Sequence, residues 1–319
     1  MSYELTIDEM EAIAKDSKQH KTYLETVREQ RKKQTNLALT AEQVYEQILA
    51  TRKLPDRVIP TGVGWWDKFA GPLRRGNTYV IAGYPGAGKT TLALNLAWSL
   101  SLAGKKVWYF CLELMAAEVF EVLAGHIQKN ADVTDRDITV SYAKIQSTGF
   151  RFYEPSGYHP WDIHLENICN TVRNEKIDVV FIDNLGYLTR AMKNTYEVEN
   201  VASARIKALS QELAIPILLL HHLRKPESDQ LEPEPNVHSM KGSGAILADA
   251  SDAFILHHPM DDAETQTRNE IGYLLSGKPR WGKGGKIYVR LDGAKRTYHS
   301  DASINYKKPK GKKVVFNGK

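Results

Sequence analysis

Between an apolar run ending at Ala82 and a helical stretch opening near residue 90 lies Gly83-Tyr84-Pro85-Gly86-Ala87-Gly88-Lys89-Thr90, a match to G-x-x-x-x-G-K-[ST]. Such a loop works only where a buried strand delivers it to the first turn of a helix, so it dictates strand, loop and helix in that order. Its glycines permit backbone angles that turn successive N–H groups toward one point, where they and the helix N-terminus hold anionic phosphates. Gly83, Gly86, Ala87, Gly88, Lys89, Thr90 and Thr91 are therefore the candidate nucleotide-binding residues. Lys89 is expected at the outer phosphates, and the Thr90 hydroxyl on Mg²⁺.

The rest of the chain repeats the strand-and-helix rhythm. Runs at Tyr79 to Ala82, Val107 to Leu112, Val179 to Ile182, Ile215 to Leu220 and Ala253 to Leu256 are too uniformly apolar for strands with one wet face. They predict buried strands of a mainly parallel sheet. Helical stretches near 90–103, 115–130, 161–175 and 196–213 fall between them, as right-handed crossovers require. The expected fold class is α/β, a central sheet flanked by helices, over residues 56–300. It is led in by the Pro- and Gly-punctuated stretch Pro55 to Gly76 and followed by a basic tail at 301–319.

Residues 1–55 contain no glycine, and nine acidic side chains balance nine basic ones, so they predict a short helical extension rather than a globular domain. Thr40-Ala41-Glu42-Gln43 is a capping box that starts a helix. Val44, Tyr45, Ile48 and Leu49 then form a narrow apolar stripe that needs a groove, in the chain's own domain or in a neighbouring subunit.

Composition narrows the setting. The uncharged stretch Thr90 to Gly104 carries Asn95, Ser99 and Ser101 and is shorter than the roughly 20 apolar residues of a bilayer span, so no membrane helix is expected. Glu4, Asp8 and Glu9 at the N-terminus argue against a secretory signal, and an intracellular place is expected. Cys111 and Cys169 lie in apolar segments far from C-x-x-C spacing, and read as core residues rather than disulfide or zinc ligands. Within a net charge of +5, Lys307, Lys308, Lys310, Lys312 and Lys313 crowd the tail, which reads as a solvated terminus or as a contact for a polyanion.

Hydrolysis of a bound nucleotide needs a metal-anchoring carboxylate and a group that orients the attacking water. Asp183 ends the run Val179 to Ile182 and is the candidate metal residue beside Thr90. Glu113 follows the run Val107 to Leu112 and is the candidate general base. His222 follows the run Ile215 to Leu220, where its side chain can meet the terminal phosphate. Adjacent residues on a strand point to opposite faces, so neither His221 with His222 nor His257 with His258 suits a shared metal ion.

Four segments together resemble the DnaB-like replicative helicases with a RecA-like motor, most nearly the branch of phage primase-helicases and mitochondrial Twinkle. They are Gly83 to Thr90, Phe110 to Leu114, Phe181 to Asn184, and His221 to Pro226 followed by Met240-Lys241-Gly242-Ser243-Gly244-Ala245-Ile246. The resemblance spans roughly residues 56–292. It implies a RecA-like fold, hydrolysis of ATP with Mg²⁺, Glu113 as the catalytic glutamate and His222 as the phosphate-sensing residue. Lys278-Pro279-Arg280 matches the family's basic pair, so Lys278 and Arg280 would reach the phosphates of the neighbouring subunit, with Arg280 as an arginine finger. The implied assembly is a homo-oligomer, a hexameric ring travelling 5′ to 3′ on single-stranded DNA among other replication proteins. Matching DNA-facing positions are Arg190 and Lys193 in one loop, and Lys241, Gly242, Ser243 and Gly244 in another, where the glycines also read as turn formers. The first 55 residues are too short for a primase half, so primase activity is not expected. The acidic, proline-rich stretch Pro226 to Val237 matches no function. The competing reading is a RecA-like ATPase that loads a helicase or mediates recombination without unwinding.

Overall fold

A computed structural model of the chain describes residues 40–53, 57–155, 161–189, 195–223, 232–236, 239, 244–262, 267–277, 279–280, 282, 284–300 and 304. The chain divides into two compact units, residues 1–57 and 58–319. In the first, α1 (Ala41–Lys53) begins directly after Thr40, whose carbonyl accepts the Val44 N–H at 3.0 Å. Val44, Tyr45, Ile48 and Leu49 are exposed along it.

The second unit runs β1 (Val58–Ile59), α2 (Gly64–Phe69), β2 (Leu73–Arg74), β3 (Thr78–Gly83), α3 (Lys89–Leu102), β4 (Val107–Cys111), α4 (Ala116–Gln128), α5 (Asp135–Gln146) and β5 (Phe150–Tyr153). It continues through α6 (Trp161–Glu175), β6 (Val179–Asp183), α7 (Leu185–Thr189), α8 (Thr195–Leu213), β7 (Ile217–His222), α9 (Gly244–Asp249), β8 (Asp252–His257), β9 (Met260–Asp262) and β10 (Thr267–Arg268). The last strands are β11 (Ile271–Ser276), β12 (Gly285–Asp292) and, after one 3₁₀ turn, β13 (Thr297–His299).

Nine of these strands form one sheet in the order β13-β12-β11-β8-β3-β7-β6-β4-β5. From β8 to β5 every pairing is parallel, while β11, β12 and β13 add an antiparallel margin beyond β8. All five apolar runs are strands of this sheet, and the period of two explains why they carry no polar residues. Along β3, Tyr79 and Ile81 pack into one core with α3, while Val80 and Ala82 pack into another with α6 and α8. Both faces are covered, so every position must be apolar. Each fully buried Leu, Ile or Phe contributes roughly 1.5–3 kcal/mol, so both layers of helices are held by many such side chains.

The boundaries that differ from the sequence reading have local causes. β7 begins at Ile217 rather than Ile215 because Pro216 has no N–H for the ladder, although its carbonyl accepts from Val180 at 3.2 Å. α4 ends at Gln128 because Lys129 turns left-handed at φ 57°.

Three buried imidazoles tie the margin to the core. His126 meets Thr297 Oγ1 at 3.0 Å, His258 Nδ1 meets the Asn269 carbonyl at 2.8 Å, and the His257 ring packs tilted against Tyr273, 5.1 Å between centroids. Burial pushes each of these rings down to about 4. Between that value and the ordinary 6.5 the native protein binds fewer protons than the unfolded chain. Stability therefore falls as the pH drops through this window, by up to about 1.4 kcal/mol per pH unit for each ring. Urea unfolding at pH 7, 6 and 5 is expected to show that slope, and His126→Gln to reduce it by one ring's share whatever the variant costs at pH 7.

Candidate active site

Strand register assembles the site. β3 pairs with β7 so that Gly83 lies level with His222, and β4 pairs with β6 so that Cys111 lies level with Asp183. Four neighbouring parallel strands thus end together, and their last side chains surround the loop that leads from β3 into α3. The N–H groups of Leu112 and Glu113 both bond the Asp183 carbonyl, at 2.8 and 3.1 Å, which fixes the exit of β4 against β6.

The loop is built as its sequence predicts. Gly86 and Gly88 have positive φ, 74° and 83°, a region that other residues rarely adopt. A Cβ at Gly83 would lie 2.7 Å from the Leu256 carbonyl, so only glycine fits there. Ala87 is buried, while Thr90 and Thr91 lie in the first turn of α3. Lys89 curls back so that its Nζ donates to the carbonyls of Gly83 and Tyr84, at 3.1 and 3.0 Å. Burial pushes this ammonium down to about 8, while the carboxylates of Asp183 and Glu113 pull it back up.

Asp183 is buried, and its Oδ2 accepts from the Thr90 hydroxyl at 2.7 Å and from the Tyr109 hydroxyl at 2.8 Å. Burial pushes its pKa up, against the pull of those two bonds. Its Oδ1 is buried with no hydrogen-bond partner among the described residues. An unpartnered carboxylate oxygen beside a threonine hydroxyl is the donor chemistry that a hard cation such as Mg²⁺ takes, so Thr90 and Asp183 fit a metal site.

Glu113, Asn184 and His222 form a second cluster facing the same loop. The His222 ring bridges the two groups: its Nδ1 lies 3.3 Å from the Lys89 ammonium, and its Nε2 lies 2.9 Å from Asn184 Nδ2 and 3.3 Å from Glu113 Oε2. The Asn184 amide is oriented by the Tyr187 N–H, which donates to its Oδ1 at 3.2 Å, so its Nδ2 donates to the same Glu113 oxygen. The hydrogen bond from His222 holds the Glu113 carboxyl below the usual carboxylate range although burial pushes the other way. The result is an ionised, half-buried carboxylate with a fixed direction.

Arg280 is not brought to this loop. Its side chain is exposed and its N–H bonds Asp252 Oδ1 at 2.7 Å. Asp252 lies level with Tyr79, four residues and about 13 Å along the strand from Gly83. Gly244 is the first residue of α9. Lys278, Arg190, Lys193, Lys241, Gly242 and Ser243 lie outside the described residues. Tyr109, Asn184 and Tyr298 were not among the residues singled out from the sequence. Tyr298 donates to the Ala87 carbonyl at 3.2 Å from behind the loop, at a place where a Cβ on Gly88 would meet its hydroxyl at 2.3 Å.

Fold and site together define a RecA-like α/β core with a phosphate-binding loop at the C-terminal ends of its parallel strands. The chain belongs to the DnaB-like helicase C terminal domain family, whose model matches residues 58–300. It is 27% identical to the probable plasmid replicative DNA helicase of Chlamydia psittaci over 242 residues, 70% of this chain and 51% of that one. It is 26% identical to the replicative DNA helicase DnaC of Bacillus subtilis (strain 168) over 301 residues, 88% of this chain and 65% of that one. The chain thus spans between half and two thirds of these curated relatives. Among solved structures, a DnaB-like replicative helicase described with its interactions with primase shares the fold with a TM-score of 0.66 at 20% identity, over 82% of this chain and 67% of that one.

The depressed Lys89 ammonium makes anion binding pH-dependent. Bound phosphate restores its charge, so binding above about pH 8 takes up a proton and affinity falls by up to tenfold per pH unit. Calorimetry with metal-free tripolyphosphate is expected to show constant affinity below about pH 8 and proton uptake at pH 9.

Proposed function

We propose that this chain is the ATP-hydrolysing motor of a DNA helicase that moves along single-stranded DNA. One observation carries the reading: Lys89, the Thr90–Asp183 pair and the Glu113–His222–Asn184 cluster converge at one end of four adjacent parallel strands. Phosphoryl transfer asks for that set, a cradle for the phosphates, a metal anchor and a base for water. The family to which the chain belongs supports helicase rather than loader or mediator.

In this reading the loop N–H groups and Lys89 hold the β- and γ-phosphates of ATP. A Mg²⁺ held by Thr90 and Asp183 supplies neutralising charge. Glu113 accepts a proton from the attacking water, and its low pKa keeps it ready to do so at neutral pH. His222 stands between Lys89 and Glu113, where it meets the terminal phosphate and passes its presence to the carboxylate. Arg190, Lys193 and the segment Lys241 to Gly244 supply contacts to the DNA backbone, which need no base readout.

Arg280 lies too far along the sheet to serve its own loop. Acting with Lys278 on a neighbour's phosphates, it implies a homo-oligomeric ring with shared sites, of which a hexamer is the expected form. Arg280→Ala and Lys89→Ala are each expected to be inactive alone. Mixed together they form some interfaces in which both groups are intact, and partial recovery of ATPase activity is the expected readout. A mixture as inactive as its parts would count against shared sites.

Glu113→Gln is expected to keep nucleotide affinity within a few-fold while lowering turnover by about 10²–10⁴. Fork-substrate unwinding tests the larger claim. Wild-type protein is expected to separate the strands with ATP and Mg²⁺, and Glu113→Gln to fail. Single-strand-stimulated ATPase activity without any strand separation would favour a loader or mediator instead.

A further inference from the structure

Within the loop the carbonyls of Gly83 and Tyr84 are taken by Lys89, while those of Pro85 and Ala87 are met by donors from outside it. At Ala87 the Tyr298 hydroxyl is that donor. At Pro85 it is Arg268, the last residue of β10, whose Nη2 donates to the Pro85 carbonyl at 2.8 Å. The guanidinium is itself held on its other edge. Nη1 and Nη2 reach the two carboxylate oxygens of Glu232, each at 2.7 Å, and Nη1 also donates to the His258 carbonyl at 3.0 Å.

This ion pair is unlike the others near the surface. The Arg268 and Glu232 side chains are only 13% and 10% exposed. Withdrawing two charges from water is costly, and apolar side chains of similar size often stabilise as well or better. What an apolar pair cannot do is present an N–H to a loop carbonyl. The Pro85–Gly86 peptide is trans, so its carbonyl and the Gly86 N–H point in opposite directions. Holding the carbonyl outward therefore aims the Gly86 N–H inward. The turn bond from the Ala87 N–H to the Tyr84 carbonyl, 3.1 Å, is compatible with either orientation of that peptide, and Gly86, at φ 74° and with no side chain, can follow both.

Glu232 belongs to the acidic, proline-rich stretch that matched no function in the sequence. Its neighbour is fastened to the loop itself, the Tyr84 hydroxyl donating to the Pro233 carbonyl at 3.3 Å, while Glu234 pairs with Lys286 at 3.0 Å on the exposed side. Pro233 and Pro235 restrict the backbone on either side of Glu234, so Glu232 is delivered with few alternative conformations.

We propose that Arg268 and Glu232 are positioning residues for phosphate binding: the guanidinium fixes the Pro85–Gly86 peptide so that the Gly86 N–H faces the bound phosphates, and the carboxylate holds the guanidinium. The proposal rests on the nucleotide-binding reading of the loop and adds a determinant outside the motif itself. It also gives a task to residues 232–236 of the acidic stretch, which carry Glu232.

The test is binding of a non-hydrolysable ATP analogue with Mg²⁺ to the full chain, by calorimetry, alongside thermal unfolding without ligand. Arg268→Gln and Glu232→Gln are expected to weaken binding by about tenfold or more, the loss of a charge-assisted contact. In steady-state ATPase assays KM is expected to rise more than kcat falls. Glu234→Gln, which releases the exposed bond to Lys286 and leaves the loop contact intact, is expected to bind like wild type. Arg268→Lys keeps the charge but loses the planar two-nitrogen grip on Glu232 and has a shorter reach to Pro85, so it is expected to recover unfolding temperature with at most part of the affinity. Wild-type affinity in both Gln variants would overturn the proposal, as would an equal loss in Glu234→Gln. Should Arg268→Gln fail to fold, the near-isosteric Glu232→Gln reads the pair alone. A wild-type chain that binds no nucleotide would instead sink the reading of the loop on which the proposal stands.

Discussion

Lys89 places an ammonium group where water scarcely reaches and gives it only carbonyl oxygens and one imidazole nitrogen as close partners. A buried cation without a bonded carboxylate is expensive. The surrounding architecture can be read as the means of keeping it there: Asp183 and Glu113 stand near enough to favour its charge without quenching it in a salt bridge. Asp183 is instead occupied by two hydroxyls, and Glu113 by the Asn184 amide and the His222 ring. Neither carboxylate is bonded to the ammonium, and the cation stays available to an anion.

That balance depends on backbone register more than on any single contact. A shift of β7 by one residue would turn His222 away from Lys89 and bring His221, now buried in the opposite face, toward the loop. Both faces of β3, β6 and β7 are apolar, so what opposes such a slip is the fit of particular side chains into the two cores rather than a polar–apolar pattern. Hydrophobic packing on two faces of the sheet therefore fixes the geometry of the candidate site, and sequence, packing and chemistry meet at the strand ends.

The same logic explains what could be read from the sequence and what could not. The parallel strands were legible because burial on both faces leaves unbroken apolar runs, and the positions of Asp183, Glu113 and His222 at strand ends were legible because polar residues stand where those runs stop. β12 was not, since its sequence Gly-Lys-Ile-Tyr-Val-Arg-Leu-Asp alternates toward solvent and only Val289 is buried. α5 was passed over although Thr134 and Asp137 form a reciprocal capping box, with Asp137 Oδ2 accepting from the Thr134 N–H at 2.9 Å. Asn184 sat within a quoted motif without being given a role, because only the fold reveals that its amide meets Glu113. Tyr298 and Arg268 lie 211 and 183 residues along the chain from the loop carbonyls they meet, and Glu232 is a further 36 from Arg268. No local pattern spans such separations.

The antiparallel margin gives the fold a further division of labour. The parallel strands carry the groups that would act on a phosphate, while Tyr298 and Arg268, from the C-terminal strands and the β9–β10 hairpin, reach the outer side of the loop. Arg280 follows β11 and sits at the far end of the same sheet, level with the start of β3. A strand antiparallel to β8 returns the chain to the opposite end of the sheet, and Arg280 follows it there. In the proposed ring Arg280 would meet a phosphate bound by another copy of the chain. The antiparallel margin and its hairpin would then do two things at once, bracing one subunit's loop and presenting a cation to the next.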